Sequence, residues 1–363
     1  MQRAVVMLFL LVVGSGAIAQ PDTTGAKFYR KIGLTLNAGT IFAHTADVEN
    51  TTGSVPFGFE IEYGRRNLSA EAWKLCHCYP SSGFVLGYTN YDNAVLGAGV
   101  HAAYFLEHRF LAMSRVSPVL RAAAGLSYST NPWHPTHNPD NQSYSLPVNA
   151  FLQLQFGLNA RISDHSMLTA RLGYNHISNG GIKEPNKGIN WPNIAVGYAF
   201  TPVYHEPVAR PRIQPDPDES IWMRTISIFG AYTTREFEEE KRESFWAYGM
   251  MLSTARKLGH LHTLSGGVEW HYSQLLQRRI SLDQSSASAH RAGLLVGHDF
   301  VFGKFVFSQQ IGVYVLDQFR YNDPLYHRWS IAYVHPKGAL WGVSLKAHRQ
   351  IAEFVDFRIG WVW

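Results

Sequence analysis

The chain has 363 residues, of which 46% are hydrophobic, 13% aromatic and only 16% charged, and its formal net charge is +5. No run of about eighteen apolar residues follows the N-terminal segment, which excludes a protein that crosses a membrane with helices. Few charges together with 31 glycines and many aromatic residues fit membrane strands, in which only alternate residues have to be apolar.

The N-terminus reads as an export signal. Met1, Gln2 and Arg3 form a short basic start, Ala4 to Val13 an apolar core, and Ala17-Ile18-Ala19 a small-x-small cleavage pattern, so residues 1–19 are expected to be removed before Gln20. From residue 28 to about residue 202 the dominant signal is alternation with period two. In Leu152 to Ile162, Leu152, Leu154, Phe156, Leu158, Ala160 and Ile162 alternate with Gln153, Gln155, Gly157, Asn159 and Arg161. Leu120 to Tyr128, Leu168 to Ser178 and Ile194 to Phe200 repeat the pattern. Roughly eight such strands fit in this half, the smallest number that closes a membrane barrel, and the Arg, Gln and Asn face suits a narrow polar lumen. The fold class expected is therefore all-β, a transmembrane antiparallel β-barrel of the outer-membrane type.

Cys76 and Cys78 are the two cysteines of the chain. Read as same-face positions of one strand, they are expected to be free thiols. Residues 203–219, VYHEPVARPRIQPDPDE, are too rich in proline for a central strand and read as a linker or long periplasmic connection. Residues 220–363 add about seven or eight alternating segments, among them Trp341 to Ala347, and form either a second barrel or part of one larger barrel. ARLGYNH in the first half and GVSLKAH in the second hint at duplication. At the end, Val355, Phe357, Ile359, Trp361 and Trp363 alternate up to a terminal aromatic, which resembles the closing strand read by the outer-membrane assembly machinery. The tight turn Ser163-Asp164-His165 and the long polar segment 130–146 give the orientation, since such barrels keep short turns periplasmic and long loops outside. Residues 176–190 then lie at the outer-leaflet end.

Chemistry concentrates in Asn175 to Asn190, NHISNGGIKEPNKGIN. Leu168, Ala170, Leu172 and Tyr174 share a strand face that alternation extends to His176 and Ser178, so both are expected to face lipid. At i and i+2 an imidazole reaches a hydroxyl and can activate it as a nucleophile. Asn179 and Asn186, with the backbone amides around Gly180 and Gly181, are candidate donors to a developing oxyanion.

H-x-S-N followed by P-N-x-G-I resembles the outer-membrane lipid A 3-O-deacylase family, grouped with acyloxyacyl hydrolase-like proteins, over residues 28–202. The resemblance implies an eight-stranded barrel that removes an ester-linked 3-hydroxyacyl chain from lipid A without metal or cofactor. Ser178 corresponds to the nucleophile and His176 to the base, while Asn179 and Asn186 match positions tied to oxyanion or site geometry. The position of the acid, Glu in that family, is Asn190 here. An asparagine can hold the imidazole tautomer through its oxygen but cannot stabilise an imidazolium by charge. The expectation is a slower enzyme or one in which Glu184 substitutes.

The remaining histidines carry less. His134 and His137 in the long loop and the Cys76-His77-Cys78 run offer too few ligands for a metal, and His348 falls on the polar, lumen face of its strand. The expected partners are lipid A or lipopolysaccharide, whose phosphates suit the basic excess, outer-membrane lipids and the assembly machinery. Nucleic acid is not among them, the expected location is the outer membrane, and no oligomeric state is implied. A catalytically inactive structural or pore-forming barrel is the alternative.

Overall fold

A computed structural model describes residues 28–211, 221–238, 241–259, 261–349 and 351–363. The expected signal peptide lies outside the described residues, as does part of the proline-rich stretch.

The described residues form two closed antiparallel barrels of eight strands each, so the second half is a barrel of its own and not part of a larger one. The first consists of β1 (Phe28–Gly39), β2 (Phe57–Asn67), β3 (Ser81–Asn90), β4 (Ala98–Arg109), β5 (Val116–Ser129), β6 (Val148–Arg161), β7 (Ser166–Ser178) and β8 (Ile189–Phe200). β1 closes on β8 through the register Ile32 opposite Phe200 to Gly39 opposite Asn193. The second consists of β9 (Trp222–Glu238), β10 (Lys241–Lys257), β11 (His262–Ser273), β12 (His290–Phe302), β13 (Phe305–Leu316), β14 (Leu325–Val334), β15 (Ala339–His348) and β16 (Ile351–Val362). Here β16 closes on β9, with Asp356 opposite Ala231. Among the described residues no helix is long and apolar enough to cross a membrane.

Burial alternates as the sequence does, but inside out relative to a water-soluble protein. In β6 Leu152, Leu154, Phe156 and Leu158 are exposed while Gln153, Gln155 and Asn159 are buried. In lipid every backbone group must bond within the protein, which a closed barrel achieves without an edge. An eight-stranded barrel also leaves an interior just wide enough for side chains to fill.

That interior is charged and paired. In the first barrel Glu62 lies 3.0 Å from the Lys31 ammonium and also binds Arg121. Arg171 meets Glu107 at 3.3 Å, and the Arg121 guanidinium stacks 3.9 Å above Phe105. In the second barrel Arg328 bridges Glu269 and Asp356, each at 2.6 Å, and Lys346 meets Glu269 at 2.7 Å. His348 is also buried there, 3.1 Å from Glu353.

The short-turn end of the first barrel is capped. Helix α1 (Ala70–Cys76) starts on the Ser69 hydroxyl, which accepts from Ala72 N–H, and ends at His77 in the left-handed conformation. That turn brings Cys76 and Cys78 together as a disulfide. The free-thiol expectation was therefore wrong, because it assumed a strand, whereas a helix end followed by a left-handed residue folds the two side chains back onto each other. Residues 203–211 have no regular structure. They cross this end, with Trp73 donating to the Pro211 carbonyl at 2.9 Å and Tyr79 to the Val208 carbonyl at 2.8 Å.

Two outcomes test this architecture. Removing one partner of a buried pair strands the other charge, at a cost of about 3–5 kcal/mol. Glu62→Ala should therefore lower the urea midpoint for loss of the heat-modifiable folded band in detergent far more than Asp164→Ala at the exposed turn. Thiol alkylation of the folded protein should label neither cysteine before reduction and both afterwards.

Candidate active site

β7 runs from the tight turn at 163–165 to the long-loop end, and its outward row continues Leu168, Ala170, Leu172, Tyr174 to His176 and Ser178. The first four are exposed, whereas His176 and Ser178 are half-buried because loops close over them. Antiparallel pairing sets His176 opposite Asn190 of β8, so a backbone register brings together residues fourteen positions apart.

His176 Nε2 lies 2.9 Å from Ser178 Oγ, and His176 Nδ1 lies 2.7 Å from Asn190 Oδ1. With the amide oxygen facing Nδ1, the imidazole carries its proton there, and Nε2 is left to accept from the Ser178 hydroxyl. The Asn190 Nδ2 group donates in turn to His44 Nδ1 at 3.2 Å. His44 carries no sequence signal. It arrives because the chain beyond β1 keeps pairing with β8, Thr40 N–H donating to the Pro192 carbonyl and Phe42 N–H to the Asn190 carbonyl.

The loop 179–188 is held from within. Asn179 Oδ1 accepts from Gly181 N–H at 3.0 Å, and its Nδ2 donates to the Lys183 carbonyl at 2.7 Å and to Ser145 Oγ at 3.3 Å. Asn186 Oδ1 accepts from Asn179 N–H at 2.8 Å. The Asn179 side chain is thus committed to shaping the loop, while the Gly180 N–H and the Asn186 Nδ2 group make no hydrogen bond among the described residues. Gly188 has φ +79°, and a Cβ there would sit 3.0 Å from His176 Cε1, so a larger residue would press on the imidazole. The long loop after β5 supports this one from behind, with Lys187 N–H and Gly188 N–H donating to the Gln142 and Ser143 carbonyls. In that loop burial pushes the Tyr144 phenol up to about 12, so it stays protonated and donates to the Leu96 carbonyl at 2.6 Å.

The second barrel completes the loop's surroundings. The Gly181 carbonyl accepts from Thr233 Oγ1 at 2.6 Å and from the Arg235 guanidinium at 2.8 Å, and Thr234 N–H donates to the Ile182 carbonyl at 2.8 Å. A Cβ on Gly180, at φ +65°, would fall 2.4 Å from Val355 Cγ2. Glu184 does not substitute for an acid at His176, because its carboxylate pairs with Arg235 at 3.1 Å. These contacts between distant strands leave no trace in local sequence.

The other candidate ligands stay apart from this site. His134 and His137 stack on each other at 4.5 Å on the exposed loop. Cys76, Cys78 and His108 have ligand atoms within 4.8 Å of one another, but both sulfurs are engaged in the disulfide.

Comparison with known proteins follows the division into barrels. Residues 57–199 match the family model of lipid A 3-O-deacylase (PagL), and residues 222–363 match that of the acyloxyacyl hydrolase C-terminal domain. No curated protein matches the chain. Among solved structures, the outer membrane enzyme PagL is similar at 15% identity over 46% of this chain and 97% of its own, with a TM-score of 0.35. Neisserial surface protein A is similar at 15% identity over 48% and 97%, with a TM-score of 0.30. The N-terminal β-barrel domain of Pseudomonas aeruginosa OprF is similar at 14% identity over 48% and 99%, with a TM-score of 0.29. Through these two matches, which together span both barrels, the chain belongs to the lipid A 3-O-deacylase (PagL) and acyloxyacyl hydrolase family.

Proposed function

We propose that this protein is a serine esterase of the outer membrane that removes an ester-linked 3-hydroxyacyl chain from lipid A, with Ser178 as nucleophile, His176 as base and Asn190 orienting the imidazole. The observation that carries the reading is the linear set Ser178 Oγ, His176 and Asn190 Oδ1, joined at 2.9 and 2.7 Å on the outward face of a strand. A polar chain of that kind on a membrane-facing surface is costly unless it serves chemistry, and family membership supplies the substrate class.

In this mechanism the Ser178 oxygen attacks the ester carbonyl while its proton passes to His176 Nε2. The tetrahedral oxyanion takes hydrogen bonds from the Gly180 N–H and the Asn186 amide. Collapse expels the sugar oxygen, which receives the proton from His176, and leaves an acyl-serine. Water, deprotonated by the same imidazole, then releases the hydroxy acid and restores Ser178. A lipid already in the outer leaflet reaches an outward-facing nucleophile by lateral diffusion, which a lumen site would prevent. Location in the outer membrane, a cleaved leader at residues 1–19, and delivery by the assembly machinery through the aromatic closing strand belong to the same reading. The pore alternative loses support because both lumens are filled by paired side chains.

Mass spectrometry of lipid A incubated with the full-length protein in detergent tests this directly. The unaltered protein should remove one hydroxyacyl mass and Ser178→Ala none; unchanged lipid A with folded, unaltered protein would end the esterase reading. The neutral third residue sets a second expectation, because a hydrogen bond to a charged partner is roughly twice as strong as a neutral one. Asn190→Asp, of equal length, should raise kcat roughly tenfold, and Asn190→Ala should lower it by a factor on the order of a hundred.

A further inference from the structure

An amide is a two-ended substitute for a carboxylate. With Oδ1 toward His176, Asn190 accepts the Nδ1 proton and leaves Nε2 free to receive the Ser178 proton. With the amide turned over, Nδ2 would donate to Nδ1, the imidazole proton would move to Nε2, and His176 would face Ser178 with a donor and no base. The two orientations occupy the same volume, so the shape of the site does not choose between them. The choice is made by whatever lies beyond the other end of the amide. There His44 presents Nδ1 at 3.2 Å from Asn190 Nδ2.

Resting on the esterase reading above, we propose that His44 is a positioning residue of the catalytic set: its unprotonated Nδ1 accepts from Asn190 Nδ2 and so keeps the amide oxygen on His176. A carboxylate needs no such partner, since its two oxygens are equivalent. An asparagine at the same place makes productive geometry depend on an acceptor on its far side. The chain is built to hold one there. The β1 extension is bonded to β8 at Thr40 and Phe42, two residues before His44. Three residues after it, Asp47 pairs with Lys187 of the catalytic loop at 2.9 Å. His44 is half-buried between these two anchors.

The test separates orientation from simple support. Lipid A deacylation is measured with the full-length protein, His44→Ala, His44→Asp, Asn190→Asp and the double variant His44→Ala/Asn190→Asp, each with kcat and KM resolved and Ser178→Ala as the blank. His44→Ala should lower kcat roughly tenfold with KM within twofold, because a substantial share of Asn190 amides then point the wrong way. His44→Asp, which can only accept at that position, should recover at least the unaltered kcat. In the Asn190→Asp background His44→Ala should cost less than threefold. Equal costs in the two backgrounds, an unchanged kcat in His44→Ala, or a His44→Asp variant no better than His44→Ala would each overturn the relay while leaving Ser178-dependent activity intact. If His44→Ala does not reach the folded, heat-modifiable form, His44→Asp still decides, because a folded His44→Asp with kcat well below that of the unaltered protein overturns the relay. If the unaltered protein is as inactive as Ser178→Ala, the esterase reading itself falls and the relay with it.

Discussion

Closure in lipid is the constraint on which everything else depends. A barrel of eight strands has no free backbone edge and almost no free interior, so one face of each strand must be apolar and the other must fill a narrow polar core. The buried charges meet that demand in pairs, Lys31 with Glu62 and Arg328 with Glu269 and Asp356. Because polar residues are consigned to the inside, a histidine and a serine on the outside stand out. They stand at the rim of the barrel, half-buried beneath the loops of that end.

The same constraint explains why so much was legible in the sequence. Strict alternation across 152–162 or 168–178 announces strands and their two faces, and a run such as NHISNGG interrupts the outward apolar row at a single place. What could not be read were contacts that no period encodes. His44 reaches Asn190 across 146 residues, and Arg235 reaches Gly181 across 54. The cysteines failed for a different reason: the presumed strand is a helix that ends at Cys76 and is followed by the left-handed His77, and the geometry of the pair changed with it. Asn179 shows the limit of motif reading, since the residue sits in the site while its side chain is spent on Lys183, Gly181 and Ser145.

Replacing a carboxylate by an asparagine in a hydrogen-bonded set removes charge and symmetry together. The lost charge weakens stabilisation of the imidazolium. The lost symmetry is a separate matter, because an amide must be told which way to point. The two deficits are repaired by different means, one by changing residue 190 itself and the other by a neighbour on its far side, so they are separable by substitution.

The contact between β9 and the 179–188 loop has a mechanical side. At one membrane face the barrels are joined by the covalent chain that leaves β8 and enters β9. At the other they are joined where Thr233, Thr234 and Arg235 hold Gly181, Ile182 and Glu184. Two cylinders fastened at a single end can splay like the legs of a compass, but fastened at both ends they behave as one plank. The side of the second barrel at the 179–188 loop then does not recede, so in the proposed reaction a lipid sliding along the leaflet meets Ser178 beside a fixed wall.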